Sequence, residues 1–192
     1  MNENQPKKTS KSERTRSEIL AAARHLFAEL GYDGASIRDV AARASIDPAM
    51  VIRYFRSKDE LFARAASIDL KLPALDGVEP GRIGDMLIRR FLDVWESGGA
   101  IGGMTVLLRS AASNEFAAER MGEVFAAQVM PVVGSIGNRA DANRRAGLIS
   151  SQLLGLAMCR YILKLPPVMA MSRDDITALV GPTLQRYATG VE

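Results

Sequence analysis

The segment from Ser36 to Lys58, SIRDVAARASIDPAMVIRYFRSK, confines the fold more tightly than any other part of the chain. Ser36 is placed to cap a helix, Asp39 follows three residues on, and Ile37, Val40, Ala41 and Ala44 recur on one helical face. Only Ala44, Ser45 and Ile46 separate this short helix from Asp47-Pro48, where Asp47 is a good N-cap and Pro48 suits the first helical position. The spacing predicts a third helix from Pro48 to about Phe55 and a fourth from near Lys58, with Leu61, Phe62 and Ala65 inward. Three-residue turns between short helices, with an apolar residue in the turn, describe a helix-turn-helix. Upstream, Ile19, Leu20, Ala23, Leu26, Phe27 and Leu30 line one face of a helix over 12–30, which ends at Gly31 and a turn through Tyr32, Asp33 and Gly34.

The charge distribution agrees. Residues 1–58 hold 11 Lys and Arg against 7 Asp and Glu, whereas the remainder holds 14 against 15. The positive surplus is thus confined to the first third, as expected of a small nucleic-acid module joined to a larger neutral domain. A groove-reading helix must project N-terminus first into a major groove about 12 Å wide. The third helix meets that demand: Pro48 and Ala49 are small enough for close approach, Met50 suits a thymine methyl, and Arg53 suits guanine or phosphate. Arg38 on the second helix points the same way. The helix starts at Ser36 and Lys58 offer backbone N–H groups to phosphate oxygens.

Across roughly residues 14 to 65 the stretch ILAAARHLFAELGYDGASIRDVAARASIDPAMVIRYFRSKDELF resembles the N-terminal domain of tetracycline-repressor (TetR) type regulators. The composite carries the likeness: LFAELGY closing the first helix, S-I-R-D-V-A, a third helix closing on Tyr54-Phe55, and S-K-D-E-L opening the fourth. The resemblance implies a homodimer whose paired recognition helices read a roughly palindromic operator on double-stranded DNA, with a small-molecule effector bound in the C-terminal domain. It makes Arg38, Pro48, Ala49 and Met50 base-facing, and Ser36, Tyr54 and Lys58 phosphate-facing. Two positions depart from the family's pattern: Ser45 stands where glycine is usual, and Ile52 where a tyrosine is usual, with Arg53 beside it as a compensating contact. Phe55 reads as core, and His25 as structural.

After Leu70 the run KLPALDGVEPGR reads as a linker, and further helices follow at roughly 82–97, 101–113, 115–136, 141–164 and 173–188. The expected fold is therefore all-α with about nine helices: a basic arm over 1–12, a helix-turn-helix domain over 13–70, and a ligand-binding and dimerisation domain over 71–192. Methionine and aromatic residues punctuate the last domain, and the stripe of Phe91, Trp95, Met104, Leu108, Phe125, Met158 and Tyr161 is compatible with a pocket or with plain core. Arg109, among apolar neighbours, suits an acid or an anionic ligand. Glycines 98, 99, 102 and 103 suggest loose packing and an apolar ligand. The wide apolar faces of the last two helices, Ile149, Leu153, Leu156 on one and Leu179, Leu184, Tyr187 on the other, exceed what one neighbour covers and point to a four-helix dimer bundle, with Pro182 kinking the final helix.

A single cysteine, Cys159, excludes an intrachain disulfide framework, and a single histidine makes a His/Cys zinc site unexpected, so neither metal nor cofactor is anticipated. The greasiest run, 148–165, is interrupted by Gln152, Arg160 and Lys164, and the polar N-terminus is unlike a secretory signal; a cytoplasmic protein with no membrane span is expected. A helical enzyme or carrier is the rival from another class. It needs an acid, base or nucleophile cluster, and the acids of the C-terminal region lack His, Cys or metal partners at telling spacing. A second rival binds DNA without any effector, and a body with no cavity would favour it.

Overall fold

The computed structural model describes residues 10–75, 77–96, 101–136 and 139–190. Most of the expected basic arm, including Lys7 and Lys8, and Gly98 and Gly99 of the expected loose packing lie outside the described residues. Among the described residues there are ten helices and no strand.

Four helices form the N-terminal head: α1 (Lys11–Gly34), α2 (Ile37–Ala44), α3 (Pro48–Phe55) and α4 (Lys58–Ala65). Their starts follow from local chemistry. Ser10 with Glu13 and Ser36 with Asp39 close reciprocal capping boxes, Asp47 accepts from the Ala49 N–H at 2.7 Å, and Ser57 accepts from the Glu60 N–H at 3.0 Å. Gly31, at φ 73°, interrupts α1 near its end. Phe27, Val40, Val51, Phe55, Leu61 and Phe62 are fully enclosed and make the core of the head.

The body begins with α5 (Ile83–Glu96) and α6 (Ile101–Ser110). Next, α7 runs through Glu115–Val124, a π-helical turn at Phe125–Val129, and Met130–Gly134; α8 runs through Ala142–Ala157 and a second π turn at Met158–Ile162. The short α9 (Pro166–Met169) and the long α10 (Arg173–Thr189), begun by a Ser172/Asp175 capping box, complete the fold. The Pro166-Pro167 pair occupies the first turn of α9, where missing N–H groups cost nothing.

The final helix continues through Pro182, which is exposed, so water can serve the carbonyl its ring leaves unpaired. Two expectations are corrected here. The helix ends fall short of 113, 136 and 164, at Ser110, Gly134 and Ile162. The glycines of α6 do not loosen the packing: a Cβ on Gly103 would lie 3.0 Å from Ile68 Cγ1 and 3.1 Å from the Ser67 carbonyl. Gly103 is what lets α6 lie against the end of α4.

Two cores result. One joins the head to Val94, Trp95, Met104, Val106, Leu107 and Leu108 of the body; the other gathers Leu87, Ile88, Leu92, Ile149, Ile176 and Leu184 between α5, α8 and α10. The first crosses the expected boundary at residue 70, so the head does not close its core alone. The turn between α2 and α3 holds Ser45 in the left-handed region at φ 55°, ψ 43°, a conformation costly for a residue with a side chain. Ser45→Gly is expected to stabilise the protein by about 1 kcal/mol, seen as a higher urea midpoint at unchanged slope.

Candidate nucleic-acid interface and interior cavity

The outer surface of the head is built from α2 and α3. Asp47 and Pro48 fix where α3 starts, Val51 and Phe55 bury its inner face, and Pro48, Ala49, Ile52 and Arg53 are left exposed, Ile52 at 44 %. Arg38 is exposed on α2. Met50, expected to face bases, is partly buried. The missing tyrosine thus leaves an apolar Ile52 on the surface, flanked by Arg53.

The three expected phosphate residues are all engaged within the head. The Ser36 hydroxyl accepts from the Asp39 N–H at 3.2 Å and donates to Asp39 Oδ2 at 2.6 Å; that donated bond, with the Ser36 backbone N–H to the same oxygen at 2.8 Å, holds the Asp39 carboxyl below its usual range. Tyr54 is partly buried and donates to Ser12 Oγ at 3.2 Å, which ties the end of α3 to the start of α1. Lys58 Nζ lies 4.3 Å from the centroid of the Tyr32 ring, a cation–π distance. That residue is itself fixed: its ring packs on Phe27, Phe62 and Phe116, its backbone N–H donates to Ser110 Oγ at 3.0 Å, and its hydroxyl donates to Asp59. Burial first, then the Asp59 carboxylate, push the Tyr32 phenol up to about 12. Arg16 adds a guanidinium 5.5 Å over the buried Phe55 ring. His25 is exposed beside Glu29, with 3.5 Å between Nδ1 and Oε2.

The body holds a partly open cavity of about 120 Å³, walled by α5, α7 and α8 and also lined by Leu70, Leu72 and Met104. Of the expected stripe, Phe91, Trp95, Met104 and Phe125 line it. Leu108, Arg109, Met158 and Tyr161 do not. Leu108 is buried in the core shared with the head, and Arg109 is exposed on the outside of α6. Met158 packs against that same core, while Tyr161 stacks flat on Trp95 at 4.6 Å and donates to Glu96 at 3.0 Å. Burial and then Glu96 push the Tyr161 phenol up to about 12.

The cavity takes in several residues that the sequence reading missed, chief among them Arg90, Ser150 and the valines of α7. The signal for Arg90 was present. It sits on the stripe of Leu87, Phe91 and Val94, a charge where the period calls for an apolar group.

The expected dimer residues divide. Ile149, Leu156 and Leu184 are buried within the protomer, Ile149 and Leu153 face the cavity, and Tyr187 is partly buried, so the wide faces are largely covered by α5 and by each other. Leu179 remains outside at 67 % exposure, and Leu148 is also exposed. Among the described residues no group of three or more His, Cys, Asp or Glu side chains is placed to hold a metal ion, and no helix is long and apolar enough to cross a membrane.

A projecting short helix on a capped head, joined to a hollow helical body, defines a DNA-binding regulator of the helix-turn-helix class. Residues 19–65 match the model for bacterial regulatory proteins of the tetR family, and residues 82–188 match the tetracyclin repressor-like C-terminal domain. The chain belongs to the TetR family of transcriptional regulators. It is similar over 96 % of its length, and 99 % of the other chain, to a TetR-family regulator of Streptomyces coelicolor, at 27 % identity and a TM-score of 0.60. It shares its fold with NalD of Pseudomonas aeruginosa, at 17 % identity and a TM-score of 0.69 over 93 % of this chain and 97 % of that one. An HTH-type transcriptional repressor of Mycobacterium tuberculosis is 51 % identical over 43 residues, 22 % of this chain and 23 % of the relative. A second repressor of that organism is 37 % identical over 71 residues, 37 % of this chain and 38 % of the relative. The chain thus matches less than half the length of these curated relatives.

Proposed function

We propose that the protein is a cytoplasmic homodimeric repressor that leaves a roughly palindromic operator when a small apolar molecule fills the cavity of the body. The observation that carries this reading is the pairing of an exposed, capped α3 with an apolar cavity that reaches Leu70 and Leu72, at the exit of the head. In this reading Arg38, Pro48, Ala49 and Arg53 face bases, with Met50 at the margin, while Ser36, Tyr54 and Lys58 position the phosphates. The cavity speaks against the effector-independent rival.

Dimerisation would place two α3 helices in successive major grooves about 34 Å apart. The exposed Leu148 and Leu179, on α8 and α10, support those helices as the contact, and exposed glycines 147 and 155 leave open space for a close neighbour. A ligand preferring one spacing of the heads shifts the population toward it, with no chemistry required.

Selection of bound duplexes from a random pool tests the reading, and a set of recovered sequences with no inverted symmetry would sink it. Lys58→Ala is expected to weaken binding to every sequence and to reduce the slope of log affinity against log salt by about 1. Arg38→Ala should instead relax preference at one base pair, at about 1 to 3 kcal/mol; equal losses on operator and random DNA would reject a base-reading role. Leu179→Glu is expected to shift the light-scattering mass from dimer to monomer.

A further inference from the structure

The outward side of α3 is poor in groups that can hydrogen-bond a base. From Pro48 to Phe55 the helix reads PAMVIRYF, so only Arg53 and Tyr54 carry polar side chains. Tyr54 is partly buried and tied to Ser12 Oγ at 3.2 Å, which leaves the exposed Arg53 as the polar side chain that α3 presents outward. Val51 and Phe55 mark the inner side at full burial, with Met50 and Tyr54 partly buried beside them. Ala49 and Ile52, three residues apart, share the other side with Arg53.

A single exposed apolar side chain is ordinary on a protein surface. Ile52 differs in its setting. It stands 44 % exposed beside Arg53 and within one turn of the small Pro48 and Ala49. The same pair of helices, with the residue that closes α3, carries Arg38, Arg43, Arg53 and Arg56, all exposed. The two carboxylates on this stretch are spent locally: Asp39 takes the Ser36 N–H and hydroxyl, and Asp47 takes the Ala49 N–H. A duplex drawn to these cations therefore meets one bulky apolar group among them. In the major groove the apolar mark that distinguishes one base pair from another is the C5 methyl of thymine.

We infer that Ile52 is a specificity-determining residue that selects thymine, its side chain packed on the C5 methyl at one position of each half-site. This rests on the reading of α3 as the groove-entering helix and adds a base that it selects by apolar contact. Met50, the other large apolar side chain of α3 outside the Val51 and Phe55 face, is partly buried and so is not the one offered. An isoleucine side chain neither donates nor accepts a hydrogen bond, so it reads nothing of the thymine O4 or of the adenine opposite. It senses the methyl alone, on thymine or on 5-methylcytosine.

The test uses the full chain and the duplex that it recovers by selection from a random pool. One thymine is expected to be fixed in each half-site at a position that Ile52→Ala leaves degenerate. Deoxyuridine at that position removes only the methyl, and is expected to weaken wild-type binding roughly fourfold per half-site, the worth of one buried carbon. At the same position 5-methylcytosine should bind better than cytosine by a similar factor. Ile52→Ala should bind the thymine and deoxyuridine duplexes alike, and Ile52→Val should keep part of the difference. If Ile52→Ala binds too weakly to compare, Ile52→Val decides, and an undiminished ratio counts against the inference. A methyl effect that survives Ile52→Ala belongs to duplex stiffness or to another side chain and overturns it. So does equal wild-type binding to thymine and deoxyuridine, or a recovered site with no fixed thymine. Duplex binding is scored first: binding without a methyl effect rejects the role of Ile52 and not the DNA-binding reading, whereas a chain that retains no duplex rejects both.

Discussion

The packing of Tyr32 governs how the two halves of this molecule meet. Its ring sits among Phe27, Phe62 and Phe116, its backbone N–H is held by Ser110 at the end of α6, and its face carries Lys58. One residue thus touches the core of the head, a corner of the body and a cation at the start of α4. A head of about fifty-five residues has too little interior to stand alone comfortably. It borrows Val106 and Leu107 from α6, and Gly103 allows that helix close enough to be borrowed from. The orientation of α3 is therefore a property of the whole chain rather than of the head.

Most of the head was legible because its signals are local. Caps at Ser36 and Asp47 and an apolar period of 3.6 depend on neighbours a few residues away, and the starts at Ile37, Pro48 and Lys58 agree with the structure. Phe55 was readable as core for the same reason. What one strand of sequence could not show is which of two inward-facing groups meets which neighbour. Ile149, Leu156 and Leu184 carry the right period for an interface, yet α5 covers them, since period reveals that a face is buried and not by what.

The cavity was half legible. Phe91, Trp95, Met104 and Phe125 line it because large flexible side chains do not tile a helical layer without gaps. Met158 and Tyr161 lie outside it, on the π turn that ends α8, where Tyr161 stacks on Trp95. Arg109 and Arg90 illustrate the same difficulty from opposite sides: both are charges among apolar neighbours, and only the helix phase set by tertiary packing puts Arg90 inside and Arg109 out.

The crossing of α5 and α10 has a mechanical consequence. A Cβ on Gly84 would lie 2.2 Å from the Gly181 carbonyl and 2.6 Å from the Gln185 nitrogen, so the two backbones touch with no side chain between them. Gln185 also accepts from the Gly84 N–H at 2.8 Å. Two rods welded at such a point yield little, whereas the opposite wall of the hollow, α7, is interrupted by a wider coil at Phe125–Val129. The tight crossing and the π turn that carries Gln128 therefore lie on different helices of the body, one packed backbone to backbone and the other wound more widely.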